Sequence, residues 1–270
     1  MASAEQQTFL GRRAELIALL ARKEWHIRYR SAKLGYAWAV LQPLMLMVVL
    51  LGVNHIVRLP AERYPQTNPF PLFLLSGLFS WHFASVALSS ATPSFPNSMK
   101  LVRLAAFPKE VLPLGVVAAH FVNLLLTLPL IVPLYFYYGR WPGAWIVLLP
   151  LVLILQAIIV GALSLIAALA CVRFTDTFFL VQATLLPWFY ATPIFYPRAA
   201  VEAGAGRFAP LVWANPLTGV MELNRLCLMP GWPATDFGIC LLASVLWAIG
   251  LSALAAWLVR RANPTLADWL

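Results

Sequence analysis

The chain alternates between long apolar stretches and short segments that carry its charge. Six stretches contain no Asp, Glu, Lys or Arg, and each is 19 to 28 residues long. They are Tyr36–Val57, Phe70–Thr92, Val111–Tyr138, Trp145–Val172, Phe178–Tyr196 and Phe237–Val259. A helix needs about 20 apolar residues to cross a hydrocarbon core of about 30 Å. The pattern therefore predicts an all-α polytopic membrane protein with six transmembrane helices, formed as a single domain over residues 1–270.

Composition and charge agree with a membrane location. Hydrophobic residues make up 61% of the chain and charged residues only 11%, whereas soluble proteins are about a quarter charged. With the N-terminus inside, 13 Lys and Arg lie in the cytoplasmic segments and six lie outside. Because cytoplasmic loops carry the excess of basic residues, both termini are predicted to be cytoplasmic. The net charge of +9 is then explained by topology and does not indicate nucleic acid.

Proline and small residues distinguish two of the spans. The short fifth span contains Pro187 and Pro193, and proline removes a backbone donor and kinks a helix. These prolines predict a bent or broken helix, either as a structural kink or as part of a transport pathway. The sixth span places small residues at four-residue spacing on one face, which permits close helix packing. They are Ser244, Ala248, Ser252 and Ala256.

Residues 8–33 are predicted to form an amphipathic helix in the cytoplasmic interface. Its apolar face holds Leu10, Ala14, Ile17, Ala21 and Trp25. The opposite, mostly basic face holds Arg12, Glu15, Arg22, Lys23, His26 and Arg30. A basic face opposite a Trp is typical of helices that lie in the membrane surface. The alternative is a solvated helix that packs on the protein's own loops.

Two further segments are too apolar for ordinary loops. Residues 97–107 predict a short cytoplasmic helix, capped by Asn97 or Ser98 and stopped by Pro108, with basic and apolar side chains that suit a docking surface. The alternative is a helix folded back on the membrane. Residues 205–230 predict a re-entrant outside segment, in which Glu222 and Arg225 are three residues apart and can pair on one helical face.

The sequence lacks the usual signatures of catalysis. It contains no Gly-x-x-x-x-Gly-Lys phosphate-binding loop and no His-Glu-x-x-His zinc motif, and Cys171, Cys227 and Cys240 form no Cys-x-x-Cys pair. Ion-coupled carriers usually place ionisable groups inside the membrane, but the six spans contain no Asp, Glu, Lys or Arg. A transporter of this kind needs energy from elsewhere, and a partner ATPase is the simplest source.

Aromatic residues cluster in the first, second and fifth spans. They predict a substrate channel lined by Tyr36, Trp38, Phe79, Trp81, Phe83, Trp188, Tyr190, Phe195 and Tyr196. The flat faces of such rings can lie against the C–H faces of sugars without strong binding. The alternative is an aromatic belt, because Trp and Tyr are enriched at membrane–water interfaces.

Several motifs occur in order along most of the chain: RYRSAKLGYAWAVLQPL at residues 28–44, FLLSGLFSW at 73–81, LVR at 101–103 with FPKEVLPL at 107–114, RFTD at 173–176, TPIFYP at 192–197 and NPLTG at 215–219. They resemble those of type-2 ABC exporter permeases, and in particular those that export polysaccharides such as O-antigen, capsule or teichoic acid. Each motif is weak alone, but together they are specific.

The resemblance implies a permease subunit, not an enzyme, in the cytoplasmic (inner) membrane. A homodimer would assemble with two ATP-binding cassette subunits, which bind ATP and Mg, while this chain binds no cofactor or metal. The first, second and fifth spans would line a channel for a polyprenyl-diphosphate-linked glycan. Residues implied to contact the ATPase are Arg22, Lys23, Arg28, Asn97, Lys100, Leu101 and Arg103. Residues implied to form an outside gate are Asn215, Pro216, Glu222 and Arg225.

Two other functions stay open on the sequence alone. A type-2 permease for a drug or a lipid would share the same spans. A polytopic membrane transferase would need acidic residues clustered at the cytoplasmic face, where only Glu110 and Asp176 are available.

Overall fold

The computed structural model describes residues 2–30, 37–57, 64–102 and 107–262, and no strand occurs within them. The first six α-helices are α1 (Ala2–Arg30), α2 (Ala37–Val57), α3 (Phe70–Ala91), α4 (Ser94–Asn97), α5 (Met99–Val102) and α6 (Val111–Thr127). The remaining six are α7 (Val132–Tyr138), α8 (Leu149–Arg173), α9 (Thr177–Ala191), α10 (Arg198–Ala205), α11 (Thr218–Leu228) and α12 (Phe237–Ala262). The described part of the chain also contains four 3₁₀ helices, Pro65–Thr67, Leu128–Ile131, Ala144–Leu148 and Gly206–Ala214.

Four helical segments within the described residues are long and apolar enough to cross a membrane: Phe70–Ala91, Val111–Tyr138, Ala144–Arg173 and Phe237–Ala262. Two shorter apolar segments, Leu44–Val53 in α2 and Thr177–Ala191, lie in the other two predicted spans. The predicted all-α polytopic membrane fold is confirmed. Length and apolarity identify these segments but do not locate the membrane surface. The six crossings therefore stay a prediction.

The fifth predicted span is shorter than its uncharged stretch. Helix α9 contains Pro187 and ends at Ala191, so residues 192–196 of the predicted span 178–196 are not helical. Pro193 immediately follows Thr192, and a residue before proline is disfavoured in the α conformation; Thr192 is extended, with φ −95° and ψ 135°. The predicted break is therefore present, and residues 192–196 form a non-helical, bent strip after the helix end.

Helix α11 lies at the centre of one end of the bundle. All of its residues, Thr218–Leu228, are buried, and it packs against α3, α8, α12 and Ala144–Leu148. A Cβ atom on Gly219 would lie 2.5 Å from Ser244 Oγ and 2.7 Å from the Cys240 carbonyl oxygen. Only glycine therefore permits this approach of α11 to α12. Within the predicted segment 205–230, residues 217–229 are covered by protein, as backbone re-entering a membrane must be, whereas Arg207, Phe208 and Leu211 are exposed.

The small-residue face of α12 follows the prediction for only half of its length. Ser244 and Ala248 are buried, but the packed face then continues through Leu251 and Ala255. Ser252 is half-buried and Ala256 is exposed. Residues spaced four apart rotate gradually around a helix that has 3.6 residues per turn. After Ala248 the contact face therefore shifts by one residue, from Ser252 and Ala256 to Leu251 and Ala255.

Helix α1 packs along α6 and begins at Ala2, earlier than the predicted residue 8. A Cβ atom on Gly115 would lie 2.7 Å from Leu20 Cβ, and Arg13 forms an ion pair of 2.9 Å with Glu110. Ala21 is buried, whereas the predicted face residue Ala14 is exposed. The inner face of α1 therefore covers α6, and its location in the cytoplasmic interface stays a prediction.

Candidate functional site

A groove of about 530 Å³ opens between α2, α3 and α9. Its walls are apolar and aromatic, with two polar side chains. The lining residues are Leu46, Val49, Leu50, Val53, Phe70, Trp81, Ser85, Gln182, Leu185, Leu186, Phe189, Tyr190 and Phe195. The three helices belong to the three spans whose aromatic residues predict a channel.

Three of the predicted channel residues meet in this groove: Trp81, Tyr190 and Phe195. Phe189 connects them, because its ring lies 5.7 Å from Trp81, 5.3 Å from Tyr190 and 5.9 Å from Phe195. Such edge and stacked contacts stabilise aromatic pairs. Tyr190 is 57% exposed and offers the largest ring surface of this cluster to a ligand.

The other predicted channel rings lie elsewhere. Phe79 and Phe83 are each 2% exposed, and Phe83 packs edge-on against Phe121 of α6. Trp38 is 40% exposed on α2 but is not among the groove residues. Tyr36 falls outside the described residues. Phe79 and Phe83 are therefore corrected from channel lining to interior packing, since α3 is surrounded by α6, α8, α9 and α11.

The sequence prediction missed the polar side chains of the groove. Gln182 donates a hydrogen bond from Nε2 to Ser89 Oγ and thereby joins α9 to α3. Ser85 donates to the His82 carbonyl oxygen within α3. Gln182 is the only glutamine in the uncharged stretch Phe178–Tyr196, and this feature of the sequence could have identified the position.

Asn215 connects the broken end of α9 to the segment that precedes α11. Its Oδ1 accepts hydrogen bonds from Trp188 Nε1 at 3.1 Å and from the Leu217 amide at 3.0 Å. Its Nδ2 donates to Thr192 Oγ1 at 2.8 Å. The predicted channel residue Trp188 is therefore tied to the predicted gate residue Asn215, and half-buried Pro216 follows in the turn before α11.

Arg225 and Glu222 form the predicted pair, at 2.8 Å between Nη1 and Oε1. Arg225 is 0% exposed and Glu222 is 7% exposed. The second terminal nitrogen of Arg225 donates to the Ile194 carbonyl oxygen at 2.7 Å, and the guanidinium carbon lies 4.1 Å from the centre of the Phe73 ring. These two residues hold the non-helical strip after α9 against α11 from within the protein. Any gating role would act through that connection.

Arg198 joins α10 to the residues just before α12. It forms ion pairs with Glu202 and with Asp236, and its guanidinium lies 5.0 Å from the Trp213 ring. Burial disfavours the charge of Arg198, but the nearby carboxylates outweigh it and raise its pKa above the usual value. The guanidinium therefore stays charged and closes α10 onto the residues before α12.

A buried polar cluster joins α3, α8 and α11. Asn224 Nδ2 donates to Gln156 Oε1 at 3.0 Å and to Ser80 Oγ at 3.2 Å, and Gln156 Nε2 donates to the Ser80 carbonyl oxygen at 2.8 Å. Unmet polar groups are costly in a low-dielectric interior. This cluster therefore specifies how α11 sits among the long helices, and the sequence prediction did not include it.

The structure describes two helical turns, α4 and α5, around the start of the predicted coupling helix 97–107, and residues 103–106 of that prediction fall outside the described residues. Helices α4 and α5 are separated at Ser98, whose amide bonds the Phe95 carbonyl oxygen. Phe95 and Val102 are each 1% exposed and anchor the segment. Asn97, Met99 and Lys100 are exposed and Leu101 is half-buried. Arg103 falls outside the described residues.

The N-terminal members of the predicted coupling set lie on α1. Arg22 and Lys23 are exposed, and the side chain of Arg28 lies outside the described part. The Arg13–Glu110 ion pair fixes α1 beside the residues that follow the α4–α5 segment. The two predicted docking elements are therefore attached to the same end of α6.

Long apolar helices, an aromatic groove and exposed basic elements at the start of α6 together define a membrane-embedded transporter subunit. The chain belongs to the ABC-2 type transporter family, whose sequence profile matches residues 15–229. This membership makes it a permease subunit and not an enzyme, as the sequence predicts, and it implies a membrane and an ABC ATPase partner.

Named bacterial proteins are similar to this chain over most of its length. An O-antigen export system permease protein RfbA of Myxococcus xanthus is 32% identical over 206 residues, 76% of this chain and 77% of the relative. An RfbA of Klebsiella pneumoniae is 28% identical over 82% of this chain and 83% of the relative. The polysialic acid transport protein KpsM of Escherichia coli is 25% identical over 78% of this chain and 80% of the relative.

Proposed function

We propose that this chain is the channel-forming permease of an ATP-driven exporter that moves a polyprenyl-diphosphate-linked polysaccharide across the cytoplasmic membrane. The named relatives export O-antigen and transport polysialic acid. The observation that carries the proposal is the aromatic groove between α2, α3 and α9. Its rings offer flat apolar faces to sugar C–H groups, and none of the described residues that line it carries a charge that would hold a sliding polymer.

The assembly we propose is a homodimer with two ATP-binding cassette subunits. The groove lies open along one side of the protomer, so a second copy facing it would complete a channel. ATP and Mg²⁺ bind to the partner subunits, which dock on α1 and on the α4–α5 segment. Both termini lie on this cytoplasmic side, where the majority of the Lys and Arg residues fall.

Tyr190→Ala is expected to reduce export because it removes the most exposed ring of the groove cluster. We expect a loss of about threefold to tenfold, the factor that corresponds to one aromatic contact of about 1 kcal/mol. The measurement is surface polysaccharide in a permease-deleted strain that carries the variant. Lipid-linked polymer should accumulate on the cytoplasmic side at the same time.

Phe179→Ala is the matched control, since Phe179 lies on the same helix, is 68% exposed and is not among the groove residues. Equal losses for both variants would contradict the groove as the polymer path. A type-2 permease for a drug or lipid is the alternative. Stimulation of the ATPase by such compounds, with none by lipid-linked glycan, would favour it.

Lys100→Cys and Arg207→Cys are expected to label from opposite sides of the membrane. Both residues are exposed, and the native cysteines Cys171, Cys227 and Cys240 are buried, which gives a low background. A membrane-impermeant maleimide should label Arg207→Cys in intact spheroplasts and Lys100→Cys only after permeabilisation. The reverse pattern would overturn the proposed orientation.

A further inference from the structure

A second and larger cavity lies on another side of the bundle, between α1, α6, α8 and α12, and encloses about 810 Å³. It shares no residue with the aromatic groove. Its volume is within the range of about 300–1,000 Å³ that is typical of ligand sites. The proposed polymer path does not use it.

The cavity extends through about one leaflet. On α6 it is lined from Glu110 to Phe121 and on α8 from Ile154 to Leu165, which is about 16 Å at 1.5 Å per residue. This depth is about half of a hydrocarbon core of about 30 Å. The three charged lining residues, Arg13, Glu110 and Arg260, are found at the end where α6 begins and α12 ends.

Small side chains create the room for an apolar chain. The walls include Ala118, Ala157, Gly161, Ser252 and Ala256. Ser252 and Ala256 are the last two of the four small residues predicted on one face of α12. They line the cavity instead of packing on a neighbouring helix. The deep part of the cavity is therefore apolar, and all its charge is at the mouth.

We propose that this cavity, an open cleft between the helices, binds one anionic glycerophospholipid of the cytoplasmic leaflet. The lipid stays bound and is not transported. Two arginines and one glutamate give the mouth a net charge of +1, which one phosphodiester neutralises. Arginine binds phosphate oxygens through its planar fork of donors. An acyl chain then fills the leaflet-deep apolar part. The lipid connects α1 to α6, α8 and α12, so it would stabilise the position of the helix on which the ATPase is proposed to dock.

Native mass spectrometry of the full-length chain with dioleoylphosphatidylglycerol or dioleoylphosphatidylethanolamine tests the site. The wild type should retain the anionic lipid in preference to the zwitterionic one. Arg260→Gln should lower phosphatidylglycerol occupancy about tenfold, as the loss of one hydrogen bond to a charged group does. Arg12→Gln is the charge-matched control, because Arg12 is exposed and does not line the cleft, and it should retain the lipid.

A bulk substitution tests the apolar part independently of charge. Ala256→Phe fills the cleft and should also displace phosphatidylglycerol, whereas Ala253→Phe, exposed on the same helix but outside the cleft, should not. Equal occupancy in all four variants, or equal binding of the two lipids, would overturn the proposal. The proposal would also be overturned if the wild type showed the mass of a dimer and only Ala256→Phe lost it, because a second copy would then cover this face. Neither readout depends on export, so failure here leaves the polysaccharide proposal standing.

Discussion

Replacing Arg225 with methionine is expected to cause the largest loss of stability in this protein. The change keeps an unbranched apolar stem but removes the charge that pairs with buried Glu222 and the donor that bonds the Ile194 carbonyl oxygen. Breaking a buried ion pair by removing one partner costs about 3–5 kcal/mol, because the other charge is left uncompensated. The melting temperature of the purified protein in detergent should fall by about 10 °C.

Two variants separate this effect from a general sensitivity to losing an arginine. Arg207→Met removes an exposed guanidinium from the segment between α10 and α11 and should leave the melting temperature nearly unchanged. The double variant Glu222→Gln with Arg225→Met should recover about half of the loss, since no buried charge remains. If Arg225→Met melted like the wild type, the ion pair would not hold the strip after α9.

Charge reversal on the α4–α5 segment is expected to produce the largest functional loss. Met99→Asp with Lys100→Glu places two carboxylates on a surface that we propose docks on the ATPase. We expect export to fall to about a tenth or less, because like charges or unpaired charges in an interface centre typically cost several kcal/mol. Both residues are exposed while Phe95 and Val102 are buried, so the fold should be unaffected.

The measurements are surface polysaccharide, co-purification of the ATPase and its rate of ATP hydrolysis. Arg207→Glu serves as the control, since it also reverses an exposed charge but lies in the segment that precedes α11. Normal export with a normally bound ATPase in the Met99 and Lys100 variant would contradict docking at α4–α5. A loss of melting temperature would instead indicate that the anchors were disturbed.

The residues around α9 illustrate how far the sequence carries the prediction. Pro187 and Pro193 predict a broken helix, and α9 does end at Ala191. Composition alone could not show that the strip after it is fixed by Asn215 and Arg225, because these partners are 23 and 31 residues away. Hydrogen bonds over such separations depend on how helices pack, which local propensity does not determine.

Helix α3 shows what the sequence could not predict. Its aromatic residues Phe79, Trp81 and Phe83 look equivalent in the sequence, yet only Trp81 lines the groove. A helix that is hydrophobic all around has no polar face that would reveal its orientation. The periodicity that assigns faces in soluble helices is therefore absent, and the contacts with α6, α8 and α9 decide which ring meets the groove.

The amino-acid sequence by itself determined where the apolar helices lie, that Glu222 and Arg225 can pair, and that the chain carries no phosphate-binding loop of its own. These properties depend on the length of uncharged stretches and on short spacings, which act locally. Only the tertiary structure decided that α11 is buried, that three helices form the aromatic groove, and that a second cleft opens beside α1. These features arise from side chains distant in the chain, and they exist only once the helices are packed together.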